Sequence, residues 1–400
     1  MRNAALVAGA LAVFLGSWSL LHHGFLARAQ LTDIPTYQRY AVAVRHDKVP
    51  YRDFKVEYPP GVLPVVLLPS LRMQRDSDAA GLAHWFDREM ALAGCLALVG
   101  TALCLRALGA GRLRMTVALG IVALSPLLLG SVVLTRFDFW PAALAVLALA
   151  ALLWGRLEVA AIVLAVAIGT KLWPAVLVPP MFLWVRRTFG RRVGWEWAGV
   201  CAVIVAAIFV PYTIFSPSGM AHSFHTQLAR PLQVESLASS VLIASHHLFG
   251  TTTHSYQGAI SMDISGPGAD AAALATTIAG AVGLLVVWLL YARGPATPQR
   301  LATYCAASIA VFIAFGKVFS PQFMVWLIPF AVLASGPLGV AAEVLLVAGL
   351  LLTQSWFPRH YWALALHLPG TQSAELLARN LVVLALVPVL AWSRPRPQLE

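Results

Sequence analysis

Residues 140–170 read WPAALAVLALAALLWGRLEVAAIVLAVAIGT. The stretch contains two apolar segments joined at Gly155, and its only charges are Arg156 and Glu158. Apolar segments of roughly twenty residues recur from one end of the chain to the other, as a helical membrane protein requires. A transmembrane β-barrel would instead show short segments of alternating hydrophobicity. The sequence therefore predicts an all-α polytopic membrane protein.

The composition of the 400 residues points the same way. Hydrophobic residues make up 59% of the chain and charged residues 11%, and the mean hydropathy is +0.77. A soluble domain usually contains about a quarter charged residues. The net charge of +11 would suggest nucleic acid in a soluble protein. In a membrane protein such a charge more often marks cytoplasmic loops and anionic lipid headgroups. We therefore expect membrane lipids, and no nucleic acid, among the partners.

Neither the cysteines nor the acidic motifs predict a metal or a cofactor. All four cysteines fall inside apolar segments and are interpreted as small buried hydrophobic residues. No predicted external loop contains a cysteine, and no Cys/His spacing resembles a zinc site. The Asp-x-Asp at 76–78 resembles the metal-binding motif of nucleotide-sugar enzymes. It lies on the predicted external face, where nucleotide sugars are not supplied, and is interpreted as a solvated loop.

The candidate spans form a bundle of about 10–12 transmembrane helices. They run approximately over 4–22, 89–107, 115–134, 140–154, 157–170, 172–186, 197–214, 271–291, 301–316, 321–335, 338–353 and 376–392. Two pairs are short and tightly joined, around Gly155 and Lys171, so the count could be two lower. The first segment, which precedes Ala27 and Ala29, also resembles a signal sequence. Its long apolar core and the spans that follow favour an uncleaved first span.

The basic residues orient these spans. With the N-terminus in the cytoplasm, alternation places the arginine-rich 186–196 connection, Arg394, Arg396 and the C-terminus there too, while most acids fall outside. The two longest connections, 23–88 and 215–270, are then external, and long loops are usually functional. We expect one integral-membrane domain over 1–400 in a bacterial plasma (inner) membrane, with an external active site.

The first external connection contains three distinct pieces. In TDIPTYQRYAVAVRHDK (32–48), apolar residues recur at helical spacing, which predicts an amphipathic helix at the membrane surface. In DFKVEYPPGVLP (53–64), the residue before each proline is pushed toward extended conformations. The apolar segment that follows reaches only to about residue 71, which is too short to span. We predict a rigid tether that leads into a short re-entrant helix and lines a cavity, because non-helical backbone at that depth is tolerated only in such places.

Six stretches together resemble a known family. They are TDIPTYQRYA (32–41), VPYRDFKVEYPPG (49–61), RFDFWPAALA (136–145), GTKLWPAVLVP (169–179), RPLQVESLASS (230–240) and KVFSPQFMVWLIP (317–329). In this order the chain from about 30 to 335 resembles the integral-membrane glycosyltransferases of family 87, part of the GT-C superfamily. The best-known members are actinobacterial α-mannosyltransferases that use polyprenyl-phosphate mannose. The resemblance implies a GT-C-type bundle with external amphipathic and re-entrant helices.

The resemblance also implies a chemistry. A polyprenyl-phosphate sugar donor reaches the external face, and a hydroxyl of a glycolipid or glycan acceptor attacks the anomeric carbon with inversion. An acidic residue of the first external loop acts as general base, and Asp33 matches that position. A carboxylate within hydrogen-bond reach activates a hydroxyl, and fixed positive charge stabilises a departing phosphate. Asp33 before Ile-Pro-Thr is also an ordinary helix N-cap, which is the structural alternative.

The remaining candidates fall into two groups. Those expected to bind the donor phosphate are Lys171, Arg230, Lys317, Ser320 and Gln322. Those expected to bind or orient the acceptor are Glu57, Tyr58, Arg136, Asp138, Glu235 and His254. Pro321 fits the first turn of a new helix whose N-terminal amides face an anion near Lys317. The alternatives are that Asp138 caps a helix and pairs with Arg136, that Lys171 snorkels to the surface, and that the loop charges are simply solvated.

The resemblance thus implies transfer of a hexosyl unit, with mannosyl as the first candidate, from a polyprenyl-phosphate donor. The alternative is a transporter or flippase of lipid-linked sugars. Such proteins commonly show internal repeats and ionisable groups near the membrane midplane. Here no repeat is visible and the charges gather on one face, which favours the enzyme. A structural scaffold would not need ordered polar motifs in several external loops. The sugar, the acceptor and the linkage do not follow from the sequence.

Overall fold

The computed structural model describes residues 2–27 and 31–392. Within these ranges the chain forms seventeen α-helices and one two-stranded sheet, so the predicted all-α class is confirmed. Ala29 of the signal-like segment and the terminal arginines Arg394 and Arg396 lie outside the described residues. The helices are α1 (Arg2–Leu20), α2 (Ile34–Arg45), α3 (Val62–Leu67), α4 (Ala79–Ala107), α5 (Arg112–Leu129), α6 (Phe139–Leu153), α7 (Leu157–Thr170), α8 (Val178–Thr188), α9 (Arg191–Phe215), α10 (Pro217–Leu228), α11 (Leu237–Phe249), α12 (Ala269–Arg293), α13 (Pro298–Ala314), α14 (Met324–Ala331), α15 (Gly336–Trp356), α16 (Tyr361–His367) and α17 (Gly370–Ala391).

Six of the described helices are long and apolar enough to cross a membrane, by length and composition: α4, α5, α9, α12, α15 and α17. The apolar part of α1, Ala4–Leu20, and helices α6 and α7 are shorter apolar segments. The chain is a multi-pass membrane protein. The predicted span 89–107 begins ten residues earlier, at Ala79, because the Asp78 carboxylate accepts a hydrogen bond from the Gly81 amide (2.8 Å) and caps the helix. The predicted segment 172–186 is divided into a 3-10 helix, Trp173–Leu177, and α8.

Helix α13 forms the centre of the bundle. Every residue from Leu301 to Val311 is buried, and the helix packs against α8, α12, α14 and α17. A helix that is apolar on all sides is stable only where neighbours or lipid surround it. By contrast, α9 and α12 leave most of their apolar side chains exposed, as helices that face lipid do.

The first external connection differs in one respect from its prediction. The apolar face of α2 packs on α3 and α4 rather than facing a lipid surface. Ile34, Tyr37 and Ala41 are buried, and the Tyr37 ring lies 5.1 Å from the ring of Phe86. The predicted amphipathic helix is therefore present, and its aromatic and aliphatic side chains find a partner within the protein rather than lipid. Its place at the membrane surface stays a prediction.

The proline-containing tether leads to Gly61, which contacts the end of α7. The amide of Gly61 donates a hydrogen bond to the carbonyl of Gly169 (2.9 Å). A Cβ on Gly61 would lie 2.6 Å from that carbonyl group, so only glycine permits this approach. The contact joins the short helix α3 to the strip GTKLWP, and it brings Glu57 and Tyr58 to the same place as Lys171.

The two strands, β1 (His254–Gln257) and β2 (Met262–Ser265), form an antiparallel hairpin. Its second strand also binds the loop after α10: the amide of Val234 donates to the Met262 carbonyl, and that of Ile264 to the Leu232 carbonyl, both at 2.9 Å. The hairpin is thereby fixed against the loop that contains Glu235.

Candidate active site

One cavity of about 820 Å³ lies where the connections at one end of the helices meet. Every candidate site residue except His254 lines it: Asp33, Glu57, Tyr58, Arg136, Asp138, Lys171, Arg230, Glu235, Lys317, Ser320 and Gln322. These residues are spread over almost 300 positions of sequence. The fold therefore brings the six quoted stretches together at a single site.

Asp33 precedes α2, but its side chain does not cap the helix. One carboxylate oxygen, Oδ2, instead forms an ion pair with Arg136 and accepts a hydrogen bond from the Tyr37 hydroxyl at 3.5 Å. The capping interpretation is wrong. Among the described residues both side-chain contacts of Asp33 use Oδ2, which leaves Oδ1 to accept a hydrogen bond from a ligand.

Asp138 pairs with Lys171 rather than with Arg136. Its Oδ1 accepts from the Lys171 ammonium and from the indole nitrogen of Trp326, each at 2.6 Å. The carboxylate is 3% exposed and the lysine side chain 16%. The predicted pairing of Asp138 with Arg136 was wrong, and Lys171 does not snorkel to the surface. Asp138 is an anchor that holds a cation at the cavity wall.

Aromatic rings surround that cation. The Lys171 ammonium lies 4.6 Å from the ring centre of Phe137, 5.4 Å from that of Phe323 and 5.1 Å from that of Trp326. Trp173 stacks on Trp326 with ring centres 5.0 Å apart. Ring faces attract a desolvated cation, so these rings hold the Lys171 ammonium in place within a largely apolar wall.

Two further carboxyl groups at the cavity have raised pKa values. Burial, and then the nearby Asp33 carboxylate, raise the pKa of Glu57. Burial raises the pKa of Glu235 to about 7, although Arg379, Arg136 and Arg230 oppose the shift. Both residues lie in external connections and line the cavity. Glu235 is therefore only partly ionised near neutral pH.

Two further cations, Arg230 and Lys317, come from the fifth and sixth quoted stretches and also line the cavity. Lys317 donates to the carbonyl of Leu228 at 2.9 Å, and Arg230 is within reach of the charges of Asp263, Glu235 and Glu57. Pro321 begins a single 3-10 turn that leads into α14, as its position predicted, with Ser320 extended before it. Lys317, Ser320 and Gln322 line the cavity together.

One side of the cavity is apolar. It is lined by Leu172, Gly280, Ala281, Leu284, Phe312 and Phe315. Most of these residues belong to α12 and α13. The cavity therefore combines a charged end with a wall that suits hydrocarbon.

A family model described as glycosyltransferase family 87 matches residues 57–316. The match covers more than half of the chain. The protein belongs to glycosyltransferase family 87. The comparison with curated proteins gives no match.

The matched region of this glycosyltransferase contains Glu57, Arg136, Lys171, Arg230 and Glu235. Asp33 lies before it, and the KVFSPQ motif begins after it. Residues of these outer motifs and residues of the matched region line the same cavity.

His254 is the one candidate that the structure places away from the cavity. Its side chain is exposed on β1. The Asp-x-Asp at 76–78 is also remote: Asp76 contacts Arg45 and His46, and Asp78 caps α4. Both acids have local partners, in agreement with a loop.

Sequence reasoning missed residues that line the cavity or contact the residues that line it. Gln233 and Trp326 lie inside two of the quoted motifs but were not singled out. Asp263 is buried and accepts from the Ser261 hydroxyl at 2.7 Å. Arg379 is fully buried in α17. An arginine inside an apolar segment is costly, and that cost was the available signal.

Proposed function

We propose that this glycosyltransferase transfers a hexosyl unit, with mannosyl as the first candidate, from a polyprenyl-phosphate donor to a hydroxyl of a glycolipid or cell-wall glycan. The reaction inverts the anomeric centre and takes place on the external face of a bacterial plasma membrane. The observation that carries the proposal is the cavity, in which Asp33 shares one space with several cations and an apolar wall.

In this proposal Asp33 is the general base. Its Oδ1 accepts the proton of the acceptor hydroxyl while Arg136 and Tyr37 hold Oδ2. The acceptor oxygen bonds to the anomeric carbon as the bond from that carbon to the phosphate oxygen breaks. The bonding electron pair leaves with the polyprenyl phosphate. A positioned carboxylate lowers the barrier because the proton is removed as the new bond forms.

The leaving phosphate needs positive charge at its oxygens. Lys317, Arg230 and Lys171, which all line the cavity, supply it. Ser320 and Gln322 add neutral donors. In this proposal the first isoprene units of the donor contact the apolar residues of α12 and α13. A lipid chain can approach the charged end of the cavity along such a hydrocarbon-lined side.

The order of the connections supports a proposed topology. The cavity draws on those after α1, α5, α7, α9, α13 and α15, and these alternate with connections at the other end. We propose that the cavity end is external and that both termini are cytoplasmic, since the arginine-rich loop after α8 lies on the opposite end.

A transporter or flippase would need a route through both ends. At the end opposite the cavity, Arg114 pairs with Glu343 and donates to the carbonyls of Val332 and Ala334. These contacts join α5, α15 and the end of α14. They favour a site open on one side, as an enzyme requires.

The test is transfer of radiolabelled mannose from polyprenyl-phosphate mannose by the purified protein in lipid nanodiscs, with bacterial lipid and glycan extracts as acceptors. We expect label in a glycolipid or glycan with the wild type and none with Asp33→Asn. Transfer from a nucleotide sugar, without transfer from any polyprenyl-phosphate hexose, would reject the proposal.

A further inference from the structure

Two loops that are far apart in the sequence form one wall of the cavity. The 230–236 loop lies between α10 and α11 and contains Arg230 and Glu235. The 316–323 loop lies between α13 and α14 and contains Lys317 and Ser320. Neither loop belongs to a helix over most of its length. The separation of their cations therefore depends on contacts between the loops.

Gln233 makes four of these contacts. Its amide donates to the Lys317 carbonyl at 3.0 Å, and its side-chain Nε2 donates to Ser320 Oγ at 3.0 Å. Its Oε1 accepts from the Phe319 amide at 2.9 Å and from Ser320 Oγ at 3.4 Å. Gln233 is only 4% exposed. A buried amide that donates and accepts at once fixes two neighbours in one geometry.

Arg379 contacts the same two loops from behind. Its Nη2 donates to the carbonyls of Glu235 (2.8 Å) and Phe319 (3.5 Å). Its guanidinium lies 3.6 Å from the ring centre of Phe319. The neighbouring Asn380 donates to the Glu235 carbonyl at 3.3 Å. Burying an arginine costs desolvation free energy, and here the buried guanidinium contacts two backbone carbonyls at the cavity wall. This placement suggests a role for Arg379 in positioning the two loops.

We propose that Gln233 and Arg379 are positioning residues that join the two loops into one unit and hold Lys317 and Arg230 at a fixed separation. The inference rests on the proposed function, since it assigns these cations to the anionic part of the donor. Neither Gln233 nor Arg379 acts on the reacting atoms. A misplacement of about 1 Å costs on the order of 100-fold in rate, so loosening the loops is sufficient to impair transfer.

The first test compares Gln233→Met with Gln354→Met. Gln354 is a half-buried glutamine on α15 whose Nε2 donates to the Leu127 carbonyl at 2.9 Å, away from the cavity. Both variants lose a buried amide hydrogen bond, so we expect both to lower the melting temperature. Only Gln233→Met should lower kcat/KM for the donor, by roughly 10- to 100-fold, with the acceptor KM unchanged.

A double-mutant cycle separates positioning from general destabilisation. If Gln233 acts through Lys317, then Gln233→Met combined with Lys317→Ala loses less than the product of the two single losses. Losses that multiply, or a donor kcat/KM in Gln233→Met equal to that of Gln354→Met, overturn the proposal. If Gln233→Met does not fold, Arg379→Lys is tested in its place. Lysine keeps the positive charge but lacks the planar guanidinium that lies over the Phe319 ring.

Hydrogen exchange tests the link between the loops without any donor. The amides of 316–323 should exchange faster in Gln233→Met than in the wild type and in Gln354→Met. Unchanged exchange there overturns the inference. A wild type that transfers nothing from polyprenyl-phosphate mannose rejects the proposed function instead, and faster exchange in Gln233→Met would then still support the joining of the two loops.

Discussion

Asp33→Asn is the sharpest perturbation of the proposed mechanism. The asparagine oxygen still accepts from Arg136 and Tyr37, so the shape of the site is kept, but it no longer accepts a proton. A positioned base contributes about 10²–10⁴-fold. At 1.36 kcal/mol per factor of ten, this loss corresponds to about 2.7–5.5 kcal/mol of the activation barrier.

The cost in stability should be smaller than the cost in rate. Asp33 and Arg136 are 22% and 18% exposed in their side chains, so the ion pair is partly screened. Replacing a charge-assisted hydrogen bond by a neutral one costs about 1–2 kcal/mol. Because Asp33 does not cap α2, the helix itself should form as before.

The assay is initial-rate transfer in nanodiscs at saturating donor. Asp76→Asn is the matched control, because Asp76 also forms an ion pair with an arginine, Arg45, in the same external connection but outside the cavity. We expect the control to keep wild-type rates. Near-normal transfer by Asp33→Asn would refute the base role and direct attention to Glu57.

Arg136→Met distinguishes a base from a mere anchor. If Asp33 served only to hold Arg136, then Asp33→Asn, Arg136→Met and the double variant would lose the same activity. If Asp33 is the base, the variants that lack its carboxylate should fall well below Arg136→Met alone.

Three further outcomes are expected. Lys317→Ala and Gln322→Ala lower kcat/KM for the donor at normal protein levels, and wild-type kinetics would remove them from the site. Burial raises the pKa of Glu235 to about 7, so between about pH 4.5 and pH 7 the folded state binds a proton that the unfolded state has lost. The free energy of unfolding therefore falls as the pH rises through this range. In thermal unfolding, Glu235→Gln should flatten this dependence of stability on pH, and an unaltered dependence would contradict the assignment. In a cysteine-free background, Thr188→Cys should resist an impermeant thiol reagent in intact cells while His254→Cys reacts; labelling at 188 would overturn the topology.

The spans were predictable because the bilayer requires long apolar segments, whatever the tertiary structure. The residues at which the spans begin and end were less predictable. Asp87 was predicted to lie in the external connection 23–88, yet it belongs to α4, since the cap at Asp78 begins the helix before the apolar segment. The hydrogen bond from the Trp18 indole to Asp87 at 2.9 Å shows what compensates the charge there.

The members of the site were predictable, but their pairings were not. Arg136 and Asp138 are neighbours in sequence, which suggested that they pair. Both precede α6, which begins at Phe139, so no helical spacing brings their side chains together. Each therefore finds a partner from another segment, Asp33 for Arg136 and Lys171 for Asp138. Only the fold decides which distant segments meet.

Those pairings determine which charges remain for a ligand. The cavity contains four acids and five bases: Asp33, Glu57, Asp138 and Glu235 against Arg39, Arg136, Lys171, Arg230 and Lys317. Two of the acids are already paired, and burial raises the pKa of the other two. Positive charge is therefore in excess beside the apolar wall. A ligand that joins an anion to a hydrocarbon chain satisfies both surfaces at once, and once its phosphate leaves as a more negative group, the same excess stabilises the product of the step.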